Sequence, residues 1–429
     1  MTASKHLASG SGANGVLWAP PAQAGSVIAD PPVLPSAEVL VREARDAERL
    51  RDDWECLLAR CERPELMLTA DWLLTWWDVY GSQQGRQLRL GLFYEDNRLI
   101  GLAPLVRRWH TYRPGLPFRR LEFLASGERE GHGIWSNHLN VLAERGHEEA
   151  VARRLVAKLH DGLFGSWDEV VLPMMDADSP MTAALTAALR RADLAVTVEE
   201  TGGAPYIPLP DTWDEYLKSL SGSHRHLLTR SLRAFDQWAE GQARLERVVN
   251  RADLERGKRI LVSLHHARWA KEGQRGVFRS PSYLRFHDQI MERLLERGRL
   301  ELCWLSVRGE PVAVLYAMVW EGKVYAYQLG RNPDLPSKLR LGSVLMAHAI
   351  RAAIEAGRYE LDFLADESLF KSQLALATRR LVRLRAVRPG LREQARQLVA
   401  WGLRGLRCLR RTGRAALESF RRVRVKPEA

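Results

Sequence analysis

A chain of 429 residues, 46% hydrophobic and with fourteen Trp, is long for one domain and can fill more than one core. Its four Cys (Cys56, Cys61, Cys303, Cys408) lack metal-ligand spacing, which argues against a zinc ribbon or a disulfide framework and fits a reduced, cytoplasmic chain. The net charge of +12 is concentrated: residues 379–429 hold sixteen Lys and Arg against three Glu, the rest is close to neutral, and nucleic acid is not an expected partner.

Residues 1–36 are rich in Gly, Ala, Ser and Pro, predict a segment without a fixed fold and show no secretory-signal pattern. No apolar run reaches the roughly 18 residues of a membrane span. "DWLLTWWDVYG" (71–81) predicts an aromatic-rich core helix in which Trp72, Trp76 and Trp77 pack. "LRLGLFYEDNRLIGLAPLV" (88–106) predicts a hairpin. A strand around Ile134–Leu142, a helix over Glu148–His160, a strand over 167–172, a helix near Pro180–Arg191 and the strand "LAVTVEE" follow. The stretch "TGGAPYIPLPDT" (201–212) reads as a joint. Helical material over 213–241, broken at Gly222, precedes helices near 251–270 and 281–297.

The first series then recurs. "LELCWLSVRGEPVAVLYAMV" (300–319) predicts a second hairpin, turning at Arg308-Gly309-Glu310. A strand over 323–330, a helix over Gly342–Glu355, a strand over 359–364, a short helix near Ser368–Ala377 and a strand over 381–387 complete it. Two such units predict two similar α/β domains, over 37–203 and 204–390, before a basic tail over 391–429. In the tail, Val399, Leu403, Leu406, Leu409, Ala416, Leu417 and Phe420 fall near one helical face. That pattern suits an anionic membrane surface or an acidic partner, or equally a helix docked on its own body.

"LHHARWAKEGQRGVF" (264–278), "RFHDQI" (285–290), "VYAYQLGRNPD" (324–334) and "LDFLADESLFK" (361–371) resemble the GNAT superfamily of N-acetyltransferases. Within it they look most like the CelD-type group associated with cellulose and exopolysaccharide biosynthesis. The order of pieces is also similar to the Fem-type aminoacyl transferases of peptidoglycan bridges, built from two GNAT-like units. Three positions depart from the pattern: Asp366 where Gly is usual, Phe370 where Tyr is usual, and Arg340-Leu341-Gly342 where Ser-Pro-Gly is usual. The resemblance implies an α/β (α+β) fold of tandem GNAT-like domains, each a mixed, mostly antiparallel sheet flanked by helices. It also implies acetyl-CoA or another acyl-CoA as co-substrate, no metal, and an amine acceptor that is a sugar, a lipid-linked precursor or a small molecule. A cytoplasmic enzyme, peripheral at the inner membrane face through its tail, follows from that reading. A Fem-type transferase using aminoacyl-tRNA, and a non-catalytic scaffold keeping the fold, are the alternatives.

Acyl transfer from a thioester makes chemical demands that these residues can be matched to. A pyrophosphate needs helix N-terminal N–H groups, and "KLRLGSVL" offers Gly342 and Ser343 with the cations Lys338 and Arg340, although an ordinary helix start looks the same. The resemblance places an oxyanion-binding backbone N–H on Ala326–Leu329. Asp362, and after it Glu367, are candidates to take the amine proton; either also suits a strand-edge acid or a helix cap. Tyr327 or Tyr325 could protonate the thiolate, and Lys371 could stabilise the oxyanion or hold an anionic group. Trp269, Phe278 and His287 are expected along the acceptor groove, whereas no histidine pair has metal-ligand spacing. The first half has no counterpart of "DFLADESLFK" and is expected to shape the groove between halves, with Met174 and Met175 structural.

Overall fold

The computed structural model describes residues 36–129 and 131–402. The N-terminal segment and the tail beyond residue 402, with the expected apolar face from Leu403 to Phe420, lie outside the described residues.

The first half opens with β1 (Ser36–Val41), α1 (Ala44–Glu48), α2 (Arg51–Ala59) and α3 (Ala70–Tyr80). The hairpin β2 (Gln87–Glu95) and β3 (Arg98–Tyr112) follows, then β4 (Leu116–Phe123) and the two-residue β5 (Leu142–Ala143). α4 (Glu148–His160), β6 (Glu169–Asp176), α5 (Pro180–Arg190) and β7 (Ala195–Pro208) complete it. α6 (Trp213–Ser219), α7 (Gly222–Ala239), β8 (Ala243–Arg247), α8 (Arg251–Lys271) and α9 (Pro281–Glu296) bridge to the second half. There β9 (Leu300–Val307), β10 (Glu310–Trp320), β11 (Lys323–Arg331), α10 (Leu341–Glu355), β12 (Glu360–Asp362), α11 (Leu369–Ser372) and β13 (Ala377–Val387) repeat the earlier series.

The two hairpins match more closely than their sequences suggest. Asp96-Asn97 and Arg308-Gly309 both turn with positive φ at both residues, so each is a two-residue turn whose twist suits the flanking strands. The expected strand around 134–142 shrinks to β5. The segment before it is irregular, with Ala125, Trp135 and His138 at positive φ, and cannot hold a ladder. α3 is buried along almost its whole length, and Trp72 and Trp76 are fully enclosed, as core packing requires; Trp77 is half-buried.

All thirteen strands among the described residues join one sheet, with β1-β2-β3-β4-β6-β13-β7-β12-β11-β10-β9-β8 as its order and β5 beside β3. The last strand, β13, therefore lies inside the sheet of the first half, between β6 and β7. The last strand of the first half, β7, reaches the second half and pairs with β12 through Tyr206, Ile207 and Pro208. The joint expected at 201–212 is thus the middle and end of a strand. Its glycines serve the sheet instead. A register shift opposite Leu381/Val382 leaves Thr201 as an extra residue beside Gly202 (φ +135°), a β-bulge. At Gly203 an added Cβ would come within 2.0 Å of the Glu367 carboxylate. Because the halves exchange their closing strands, the boundary between 203 and 204 separates no independent sheets.

Candidate active site

β11 and β12 run parallel through only three residue pairs, Lys323–Glu360, Val324–Leu361 and Tyr325–Asp362, and then part. The parting has a local cause. The chain after Asp362 spends its amides elsewhere: Phe363 N donates to Pro205 O (2.9 Å), Leu364 N to Asp362 Oδ1 (2.7 Å) and Ala365 N to Asn137 Oδ1 (2.9 Å). Leu364 and Asp366 take positive φ (61° and 85°), which turns the chain away from β11. On its other side β11 slips against β10, pairing Gln328 with Tyr316 but Ala326 with Ala317, so Tyr327 is the bulged residue and its side chain is re-aimed.

The gap holds a cavity of about 820 Å³. Ala326, Tyr327, Gln328 and Leu329 line one side, and Phe363–Asp366 with Lys371 line another. The start of α10 contributes Arg340–Ser343, α8 contributes Arg268 and Trp269, and the first half contributes Trp135, Asn137 and Met174. Met174, expected to be structural, therefore faces the cavity, whereas Met175 is core. Four cations (Arg268, Arg331, Arg340, Lys371) line it against one carboxylate, Asp366.

At the start of α10, Arg340 caps the helix in the left-handed region, and its carbonyl accepts from Ser343 N and Val344 N. No backbone bond among the described residues uses the amides of Leu341 or Gly342, the first two of the helix. A Cβ on Gly342 would stand 3.2 Å from a Leu329 methyl and project toward Phe370, so glycine keeps this corner open. Arg340 also has a buried Nε without a partner. Free helix amides, an unpartnered guanidinium nitrogen and excess positive charge fit the phosphates of an acyl-CoA.

Lys371 reaches back over the loop. Its Nζ donates to the carbonyls of Ala365 (2.6 Å) and Leu364 (3.3 Å) while facing the cavity. Burial lowers its pKa, and Asp366 and Asp362 only partly offset this. The Tyr327 hydroxyl donates to the Ile134 carbonyl. Burial, with Tyr283 and Tyr316 beside it, raises its pKa well above the ordinary tyrosine value. Trp269 is steered by its own helix: its Nε1 donates to His265 Nε2 (2.8 Å), and Phe278 packs edge-on against that imidazole at 4.8 Å.

Several expected site residues lie elsewhere. Asp362 is fully buried and not part of the lining. His138 Nε2 donates to its Oδ2 (2.9 Å), Lys323 Nζ lies at 3.2 Å and Arg379 Nη1 at 3.4 Å. Burial alone would raise its pKa, but Lys323, His138 and the Leu364 amide reverse this and hold it well below the carboxylate range. So held, it is a weak base, and it lies outside the cavity in which an amine would be bound. Glu367 rests against Gly203, and Lys338 is exposed outside the cavity. Phe278 is core. His287 is enclosed by Trp72, Phe278, Tyr283, Phe286, Tyr316 and Tyr327, and burial pushes its pKa down to about 3.

Asp362 belongs to a clasp between the halves. Lys323 Nζ contacts both Glu65 oxygens (2.9 Å) and Glu360 (3.1 Å); Arg379 pairs with Glu360; Tyr325 donates to Glu65 (2.8 Å). Burial would raise the Glu65 pKa, yet Lys323 and His138 bring it below its usual value. Depressed folded-state values mean that the stability from Asp362 and Glu65 is complete above about pH 5, where the unfolded chain is also ionised. It drains away as pH falls from there toward the folded values. Unfolding midpoints are therefore expected to hold from neutrality to about pH 5 and drop steeply below about pH 4. A flat profile to pH 3 would contradict the clasp.

The departure at Asp366 also has a conformational meaning. Its φ of 85° is the left-handed region that glycine adopts freely and Asp tolerates. Asp366→Gly is expected to change stability by less than about 1 kcal/mol, whereas Asp366→Val should cost about 1–3 kcal/mol. Denaturant unfolding of the two variants checks this.

Comparisons with known proteins bear on the family and the fold. Residues 222–372 match the family model "Acetyltransferase (GNAT) domain", which takes in α7 through α11 and so most of the cavity lining. The crystal structure of FemX superposes with a TM-score of 0.56 at 11% identity, covering 85% of this chain and 99% of FemX. L-PGS from Bacillus licheniformis gives 0.45 at 14% identity, covering 79% of this chain and 91% of that one. A tandem GNAT protein from the clavulanic acid biosynthesis pathway gives 0.40 at 13%, covering 83% and 100%. No curated protein sequence matches the chain. The fold is thus a GNAT-like α/β fold, with a large mixed sheet flanked by helices, and at this identity FemX shows the fold alone. None of these matches singles out the cellulose- and exopolysaccharide-associated group. Among the described residues, no helix is long and apolar enough to cross a membrane.

Proposed function

We propose that the protein is an acyl-CoA-dependent N-acyltransferase acting on a primary amine of a sugar, a lipid-linked precursor or another small acceptor. One observation carries the reading: the cavity opens where β11 and β12 part, and two free helix amides and four cations meet there against a single carboxylate. The Leu341 and Gly342 amides, Arg340 and Ser343 would hold the co-substrate's phosphates, with Arg268 and Arg331 adding positive charge. When bound, that co-substrate supplies an activated acyl thioester.

The chain's own groups then have distinct tasks. Beyond Tyr325 the edge of β11 has no strand partner toward β12, so its backbone N–H groups are available where a carbonyl oxygen gains charge. Lys371 adds a cation held by two carbonyls. Tyr327 keeps its proton at neutral pH and, released from the Ile134 carbonyl, can pass it to a departing thiolate. Asp366 is the carboxylate in the lining and takes the role first expected of Asp362. The placement in cellulose or exopolysaccharide synthesis rests on the motif resemblance alone.

The test is turnover by the full-length protein with acetyl-CoA and a panel of amines, read as free thiol. Amine-dependent thiol release is expected. Transfer from aminoacyl-tRNA without thiol release would replace this reading by a Fem-type one. Absence of both would leave a non-catalytic scaffold.

A further inference from the structure

The helix over 391–402 is mounted with its apolar side outward. Leu391, Leu398 and Trp401 are 83%, 73% and 80% exposed, among the most exposed large apolar residues described. At 100° per residue they fall within an arc of about 80°, which the exposed Gln394 shares, while Glu393 lies about 160° from Leu391 and about 140° from Leu398. The Glu393 side is fastened to the body. Glu393 is buried and accepts from Arg385, Arg396 and Gln397, while Arg385 also donates to the buried Glu169. Arg392 pairs with Asp168, and the Arg388 guanidinium lies 4.3 Å from the centre of the Trp167 ring. Rolling the helix over to hide its leucines would part the buried Glu393 from Arg385, and Arg392 from Asp168. The polar anchor therefore holds the apolar face to the outside.

We propose that this face docks on an anionic phospholipid bilayer. Two leucines and a tryptophan on one side of a helix suit the boundary between headgroups and acyl chains. Charge selects the partner: residues 403–429, next in the sequence, hold nine Lys and Arg against two Glu, while the chain before residue 379 is close to neutral. A chain with a basic sequence segment and an outward apolar face is drawn to negatively charged lipid, and the apolar face then retains it. This inference stands independently of the acyl-transfer reading, since it uses none of the cavity residues.

Co-sedimentation of the full-length protein with vesicles tests it. Binding to phosphatidylcholine vesicles containing about 30% phosphatidylglycerol is expected at low salt, at least about tenfold tighter than to pure phosphatidylcholine. Leu398→Glu combined with Trp401→Glu should weaken that binding about tenfold or more, with an unchanged unfolding midpoint because both side chains are exposed. Leu398→Ala with Trp401→Ala should fall between. No binding to the anionic vesicles would overturn the proposal. So would equal binding by the Glu variant, which would mean attraction by the arginines alone. Self-association of the wild type that the Glu variant abolishes would assign the face to a second copy instead.

Discussion

Replacing Asp362 with alanine is expected to destabilise the fold by about 3–5 kcal/mol, because it removes one member of a buried ionic cluster and leaves its partners behind. Lys323 loses a carboxylate at 3.2 Å, Arg379 one at 3.4 Å, and His138 its hydrogen-bond acceptor. The Leu364 amide, which starts the turn away from β11, loses its acceptor as well. The cost should appear as a lower denaturant midpoint at neutral pH. A catalytic base in this place would behave in the opposite way, with activity lost and stability kept. An Asp362→Ala protein as stable as wild type would remove the clasp from the account.

Lys371→Met is expected to divide the other way. Methionine approximates the length of the aliphatic stem but cannot satisfy the Leu364 and Ala365 carbonyls, so stability should fall by only about 1–2 kcal/mol. Acyl-transfer turnover should fall about 100-fold or more, as for removal of a donor from an oxyanion site. The pKa of Lys371 is lowered, so its charge is lost as pH rises through a value below the roughly 10.4 of free lysine. The alkaline limb of the wild-type rate profile should reflect that loss and be absent from whatever activity Lys371→Met retains. Unchanged turnover would return Lys371 to a purely structural role.

The two expectations show where the sequence was informative and where it was silent. Both hairpins and helices such as α4, α8 and α10 carry their own periodicity and turn residues, and they form where local pattern places them. Within the site, Trp269, Tyr327, Arg340, Gly342, Ser343 and Lys371 all reach the cavity, because their positions follow from the order of strand, helix and loop. Asp362 belongs to the same local pattern, but its chemistry is set by His138, 224 residues away, and by the Arg379 and Lys323 side chains. No local signal reports such partners. Lys323 directly follows the Glu321-Gly322 turn and opens β11, yet its side chain is buried. The polar run Ser136-Asn137-His138 between Ile134 and Leu139 was the one available hint that this segment was not a plain strand. Exchange of β7 and β13 was illegible for the same reason: pairing between strands so far apart depends on the whole sheet, and Gly202-Gly203 looks alike in a linker and at a bulge.

The exchange matters for function. Because β7 pairs with β12 and also accepts the Phe363 amide on Pro205, the first half helps to pull the loop after Asp362 away from β11. Asn137 does the same through Ala365. The cavity is therefore a product of both halves, which accounts for a first half that carries no "DFLADESLFK" of its own yet supplies Trp135, Asn137 and Met174 to the lining.

Equilibrium titration of acetyl-CoA into the full-length protein, beside a Gly342→Asp variant, tests this account most directly. Saturable binding by the wild type is expected. The aspartate should weaken it at least about 100-fold, since a carboxylate and its Cβ would occupy the corner at the start of α10 and repel a phosphate. No binding by the wild type, or equal binding by a folded Gly342→Asp variant, would contradict the assignment of this cavity to an acyl-CoA.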